Sequence, residues 1–282
     1  MKTERLKKDV PFLYSFLAYA VETSIKMRLL FIGDVVGQVG CEFLMKKLPD
    51  YKKENGVDIC IVNGENSAQG NGVTPFSCKM LYDSGVDFIT LGNHSFKRPE
   101  IMEYLDKDPT IIRPYNFPCG APGKGVGIIE KGRFRIAVIN LMGTVYLEAL
   151  DNPFTEIDKA LDETDGCKTV IVDFHAEATA EKRALGFYLD GRVTAVLGTH
   201  THVQTADEQI LPKGTAYITD VGMTGPEQSV LGIEPELAIK KIKQHIPVRF
   251  LNAEGGYSMN ACLLDIDEKT GKASSIKRVV LK

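Results

Sequence analysis

Four of the five histidines in this chain stand at the ends of apolar runs. The runs are RLLFIGD, VDICIVNGEN, VDFITLGNH, KTVIVDFHAE and VTAVLGTHTH. They are closed by Asp34, by Glu65 with Asn66, by Asn93 with His94, by His175, and by His200 with His202. Imidazole nitrogen, carboxylate oxygen and amide oxygen with no thiolate form a donor set that suits Fe, Mn or Zn better than Ca, and it argues against a closed structural zinc site. The triplet His200-Thr201-His202 puts its imidazoles on one side if extended, or fans them out in a loop. Either way each can address a different ion, about 3.5 to 4 Å from the other.

Taken singly, these residues have plainer readings. Asp34 reads as a helix cap or turn residue. Asn66 and Asn93 read as turn residues in left-handed backbone beside glycine, and His175 as a core histidine with satisfied nitrogens. Their order in one set argues for ligands instead. His245, in KQHIPV, has no accompanying ligands and reads as structural. Gly70-Asn71-Gly72 lacks the G-x-x-x-x-G-K pattern of a phosphate loop and reads as a turn. Arg113 and Lys124 fit either anion steering or ordinary solvated charge.

The elements that must position this set follow an α/β grammar from Met27 onward: apolar strand, polar or glycine-containing loop, amphipathic segment. The first three runs stop about thirty residues apart, the length of one βαβ unit. Helices are expected near 40–54, 75–84 and 98–106, and over Thr179 to Leu189. GVGIIEKGRFRIAVINLMG reads as a hairpin turning at Lys131-Gly132, and the tail from Val248 as an antiparallel meander. In such sheets the ligand site lies beyond the carboxyl ends of the strands, where residues distant in sequence converge.

A chain of 282 residues with 44% hydrophobic content suits one large domain, and no repeat or linker marks a boundary. Residues 27–282 are taken as that domain. A formal charge of -3 gives no basic footprint for a polyanion, so no stable nucleic-acid binding is expected. The cysteines Cys41, Cys60, Cys78, Cys119, Cys167 and Cys262 form no C-x-x-C pair and read as reduced, mostly buried thiols of a cytoplasmic protein. Residues 1–26 look like a poor signal peptide, because Glu4 and Asp9 interrupt the basic segment and Tyr14 and Ser15 the apolar one. They are expected to be a dispensable extension or the product of a start upstream of Met27. No stretch is long and apolar enough to be read as a membrane helix.

The ordered motifs Gly33-Asp34, Asn63-Gly64-Glu65-Asn66, Gly92-Asn93-His94, Asp173-Phe174-His175 and Gly198-Thr199-His200-Thr201-His202 resemble those of the calcineurin-like metallophosphoesterases. Two departures stand out: Val36 replaces the usual histidine after the first Asp, and Glu65 replaces the bridging Asp. Both look like the bacterial YmdB-like branch, in which an Asn after the bridging Glu takes the missing histidine's place. The resemblance implies a four-layer α/β/β/α sandwich of two mixed sheets flanked by helices. It implies two divalent or mixed-valence transition-metal ions, Fe or Mn before Zn. Asp34, Glu65, Asn66 and His202 would hold one ion, and Glu65, Asn93, His175 and His200 the other. His94 would be the general acid or the stabiliser of the departing oxygen. The implied activity is a phosphodiesterase acting on small esters, cyclic nucleotide monophosphates (2′,3′ or 3′,5′) first. The sequence leaves homo-oligomerisation open. The rival is a non-catalytic, metal-dependent regulator acting through a partner, against which an uncoordinated His94 argues.

Overall fold

The computed structural model describes residues 26–282, so the extension expected over 1–26 lies outside the described residues except for Lys26. Strand β1 (Lys26–Ile32) is followed by a short β2 (Asp34–Val35), helix α1 (Gly37–Asn55), β3 (Ile59–Asn63), α2 (Pro75–Asp83), β4 (Phe88–Thr90), α3 (Met102–Lys107) and β5 (Ile111–Ile112). Next come β6 (Val126–Lys131), β7 (Phe134–Met142), α4 (Pro153–Asp162), β8 (Thr169–His175), α5 (Thr179–Tyr188) and β9 (Ala195–Thr199). The chain closes with β10 (Gln209–Ile210), β11 (Ala216–Ile218), β12 (Met223–Pro226), α6 (Pro235–Gln244), β13 (Tyr257–Asp267) and β14 (Ala273–Leu281).

These strands form two mixed sheets. The eight-stranded sheet runs β2-β12-β13-β1-β3-β4-β5, with β14 paired to β13, and the six-stranded sheet runs β10-β11-β9-β8-β7-β6. One core lies between the sheets, where Leu29, Phe31, Ile61 and Leu264 meet Ile136, Val138, Ile171 and Leu197. A second packs Leu30, Ile32 and Val62 under α1 and α2 through Cys41, Leu44, Leu48 and Leu81. A third packs Ile139, Val172 and Val196 under α4 and α5 through Ile157, Ala160 and Leu185. Both faces of each sheet are therefore covered, which is why the central strands read as continuous apolar runs. The α/β/β/α sandwich expected from the resemblance is the architecture observed.

Local chemistry accounts for the helix ends. Thr74 and Ser77 form a capping box at α2 with Pro75 in its first turn, and α1 stops at Gly56 in left-handed backbone with Lys52 and Lys53 in the last turn. The expected hairpin has Gly132 and Arg133 as its two-residue loop. The expected helix near 98–106 is a 3-10 turn over Pro99–Ile101 followed by α3. In the tail only β13 and β14 form a hairpin, and β13 enters its sheet with β14 along one edge and β1 followed by β12 along the other, instead of ending a meander. The sequence reading does not delimit α4 or α6, although Asn152 caps α4 by accepting a hydrogen bond from the Phe154 backbone. No helix among the described residues is long and apolar enough to cross a membrane.

Candidate metal centre and the family of the chain

All eight residues singled out for the site stand at one end of the sandwich, linked by a continuous set of contacts. Parallel pairing of β1 with β3, β3 with β4, and β8 with β9 aligns the carboxyl ends of strands from both sheets. Asp34, Glu65 and His175 are fully buried and Asn66 nearly so. His175 Nε2 lies 2.9 Å from Asn93 Oδ1, 3.0 Å from His200 Nδ1 and 3.3 Å from Glu65 Oε1. His202 Nε2 lies 3.6 Å from Asp34 Oδ1 and 3.3 Å from Asn66 Nδ2. One ligand atom from each of Glu65, His175 and His200 falls within 4.8 Å of the other two, close enough for one metal ion. His94 sits at the rim, its Nδ1 2.9 Å from Asn66 Oδ1 and 3.2 Å from Glu65 Oε1.

The outer nitrogen of each candidate ligand histidine is already engaged. His175 Nδ1 meets Thr199 Oγ1 at 3.0 Å, and that hydroxyl donates to Asp173 Oδ1 at 2.7 Å. His200 Nε2 meets Glu177 Oε2 at 3.2 Å, and His202 Nδ1 meets the Leu231 carbonyl at 3.1 Å. An N–H pointing outward fixes the tautomer and leaves a lone pair pointing inward, the usual outer support of a metal-binding histidine. Three such lone pairs, two carboxylates and the Asn93 carbonyl oxygen then face one another at contact distance. An arrangement of acceptors alone is repulsive until a cation or protons enter it. The residues present thus fit a metal site.

Charge within the cluster responds accordingly. Burial works against charging His175, but Glu65 and Asp34 outweigh it and raise it to about 9. Burial, reinforced by neighbouring His175, pushes His200 down to about 4. Burial would raise the Glu65 carboxyl, yet His175 and His94 hold it well below the carboxylate range. Asp34 is likewise lowered, by His202 and His175 against burial. The carboxylates demand positive charge, and protons supply it when nothing else does.

Comparison with known proteins identifies the lineage. The family description "YmdB-like protein" matches residues 30–279. The chain belongs to the YmdB-like family. It is 48% identical over 256 residues, 90% of this chain and 97% of the relative, to the 2′,3′-cyclic-nucleotide 2′-phosphodiesterase of Bacillus subtilis (strain 168). A solved structure of a hypothetical protein from Thermus thermophilus superposes with a TM-score of 0.86 at 41% identity, covering 90% of this chain and 99% of that one. A novel phosphatase from Mycoplasma pneumoniae superposes with a TM-score of 0.85 at 33% identity, covering 91% and 93%. The resemblance read from the motifs is thereby met by family, by sequence relative and by fold.

Several plainer readings fail in this YmdB-like chain. Asp34 caps nothing: the N-cap of α1 is Val36, and the Asp34 carboxylate instead accepts the His200 backbone N–H at 3.1 Å. Left-handed backbone falls not on Asn66 or Asn93 but on His200 (φ 103) and His202 (φ 64), so the H-x-H segment fans out in a loop after β9. Gly92 is required by close approach, because a Cβ there would lie 2.3 Å from His175 Cδ2 and 2.5 Å from Glu65 Oε2. His245 ends α6 in left-handed backbone, and the Arg113 guanidinium is spent on the carbonyls of Pro114 and Tyr115, whereas Lys124 is exposed. Four cysteines are buried, Cys167 is half-buried, Cys119 is exposed, and all six are free.

Supporting residues escaped the sequence reading. Asp173 joins the sheets by accepting from Asn63 Nδ2 at 3.0 Å and from Thr90 and Thr199, and its burial raises it to about 6. Lys182 on α5 and Asp220 form a buried ion pair at 2.7 Å that straddles the H-x-H loop. The ammonium donates to the Thr199 carbonyl at 2.7 Å, and the carboxylate accepts the Thr201 N–H at 3.0 Å. The available signal was a polar residue set inside an apolar run, as in IVDFH, IVNGE and YITDVG.

Proposed function

We propose that this chain is a dinuclear metal-dependent phosphodiesterase acting on small phosphodiesters, cyclic nucleotide monophosphates foremost. The observation carrying this reading is the set of three histidines whose outer nitrogens are spent on Thr199, Glu177 and Leu231, while the inner nitrogens of His175 and His202 face Glu65 and Asp34 and that of His200 faces His175. Asp34, Glu65, Asn66 and His202 would hold one ion, and Glu65, Asn93, His175 and His200 the other, with Glu65 between them. That division agrees with the contacts, since His202 neighbours Asp34 and Asn66 while His200 neighbours His175. Asn66 now turns its Nδ2 toward Asp34 and Glu65. A half-turn of this amide presents Oδ1 in its place when the charge between them is positive. Bound ions of the Fe, Mn or Zn type would activate water and neutralise charge on the phosphoryl oxygens.

The chain's own residues do the rest. The buried carboxylates and imidazoles exclude bulk water and fix the donor geometry before substrate arrives. His94 is the site histidine not needed as a ligand, and its Nδ1 is held by Glu65 and, before the Asn66 amide turns, by Asn66 Oδ1. Its role is to protonate or hydrogen-bond the departing oxygen. The Bacillus subtilis relative supports a 2′,3′-cyclic ester as first choice. The test is metal analysis coupled to turnover. Manganese-loaded protein should carry two ions per chain and hydrolyse bis-p-nitrophenyl phosphate and 2′,3′-cyclic nucleotides, and His175→Ala and His202→Ala should each empty mainly one site. A stoichiometry near one, or no turnover with Mn, Fe or Zn, would refute the reading.

A further inference from the structure

Resting on that phosphodiesterase reading, we infer that the groove beside the metal cluster, between the N-terminus of α1 and the segment 227–256, is the subsite for the nucleobase of the substrate. The cluster offers groups for a phosphate and nothing that reads a base. The groove, of about 690 Å³, is lined among others by Gln38, Gln69, Arg98, Arg249, Phe250 and Asn252, and its volume falls in the range of small-molecule sites.

Its floor is tied to the cluster through the backbone of Gly37. Gly37 donates its N–H to the Asn66 carbonyl at 2.8 Å, and a Cβ on Gly37 would lie 2.1 Å from Asn252 Nδ2, so the Asn252 amide is packed on the backbone that touches Asn66. One wall is pinned by Arg98, four residues beyond His94, whose guanidinium donates to the carbonyls of Asn71 and Gln69. The other wall is a single hydrogen-bonded flap in which Glu234 N bonds Leu251 O and Ala253 N bonds Gly232 O, both at 3.0 Å. The carbonyl of Leu231 in this flap holds His202. Base subsite and metal ligand thus share one support.

The lining chemistry selects the ligand. Arg98 and Arg249 are outnumbered by Glu42, Glu234 and Glu254, an acidic excess that suits an uncharged, hydrogen-bonding group and disfavours further phosphates. Gln38, Gln69 and Asn252 each offer a donor and an acceptor in one plane, as a base edge requires. Phe250 is 36% exposed with the Lys241 ammonium 4.7 Å from its ring centroid, and it is the aromatic platform for stacking.

The test compares 2′,3′-cyclic AMP with glycerol 1,2-cyclic phosphate, which keeps the five-membered cyclic ester and lacks the base, on the full manganese-loaded chain. Wild type should favour the nucleotide in kcat/KM, and Phe250→Ala should shrink that preference about tenfold through KM, the scale of one lost base–aromatic contact. Arg249→Ala should shrink it further. As a readout independent of metal and turnover, saturation-transfer NMR should detect adenosine on the metal-stripped chain and lose it in Phe250→Ala. Equal kcat/KM for the two esters, or a ratio and an NMR signal untouched by both substitutions, overturns the subsite alone. Turnover of neither ester removes the phosphodiesterase reading and the subsite with it.

Discussion

A histidine becomes a metal ligand through what its other nitrogen does. His175, His200 and His202 each turn one nitrogen into the cluster and commit the other to a partner outside it, whereas the partners of His94 Nδ1, Asn66 Oδ1 and Glu65 Oε1, belong to the cluster itself. That placement supports the leaving-group role proposed for His94. His94→Gln should therefore leave both metals bound and lower kcat by roughly a hundredfold to ten-thousandfold for poor leaving groups, or about 3 to 5 kcal/mol of barrier. The defect should fall on kcat more than on KM, because the interaction strengthens only as the bond breaks. It should shrink with a nitrophenyl ester, whose leaving group needs little protonation. Loss of one metal in the variant would make His94 a ligand, and equal loss for good and poor leaving groups would make its contribution electrostatic.

At the scale of elements, the β9 loop carries two candidate ligands, His200 and His202, in left-handed backbone that L-residues rarely adopt, so something must hold it. The Lys182–Asp220 pair does so from α5 on one side and from the chain after β11 on the other, with side chains 1% and 0% exposed. Breaking such a pair from one side leaves a buried charge without compensation. Lys182→Met should cost about 3 to 5 kcal/mol of stability, and it should weaken metal retention at His200 and His202. Denaturant melts and metal analysis read the two effects separately. A loss under about 1 kcal/mol would mean that the loop is held by Asp34 and Leu231 alone.

For the whole molecule, the two sheets meet through an apolar layer at one end and through Asn63, Thr90, Asp173 and Thr199 at the site end. A buried carboxylate cluster stabilises the fold only when its charge is answered. In protein stripped of metal that answer is protonation of His175, raised to about 9 from an ordinary 6.5. A raised histidine gives its full stabilisation below the unfolded value and loses it as pH climbs through the folded one. The melting temperature of the stripped chain should thus fall between pH 6.5 and 9. Metal-loaded protein should lack that step, because its imidazoles are engaged as neutral ligands. A melting temperature flat across this window in both forms would contradict the arrangement. Independently, a chain begun at Met27 should fold and turn over normally, since it keeps the pairing of β1 with β13 over Met27–Ile32 and with β3 from Leu29 onward, and the site starts at Asp34. Loss of solubility or activity in that shortened chain would show that residues 1–26 pack on the domain.

Residue type and strand periodicity are local properties. That is why the sequence alone marked Asp34, Glu65, Asn66, Asn93, His94, His175, His200 and His202 at the stops of buried strands, and why the α/β grammar was legible. It was also enough to set His245 apart, although it left Arg113 and Lys124 open between anion steering and solvation. What it could not decide depends on contacts across long separations. Asp34 is a buried acceptor and not a cap because β12 pairs with β2 and the His200 loop folds over it, 166 residues away in the chain. Asp173 and Thr199 orient His175 only once β8 and β9 align in register. Lys182 finds Asp220, and His202 finds the Leu231 carbonyl, only in the closed structure. Sequence therefore supplied the candidate ligand atoms, whereas packing of two sheets supplied the hydrogen-bond partners that aim them, since a partner's identity is set by distance in space and leaves no period in the chain.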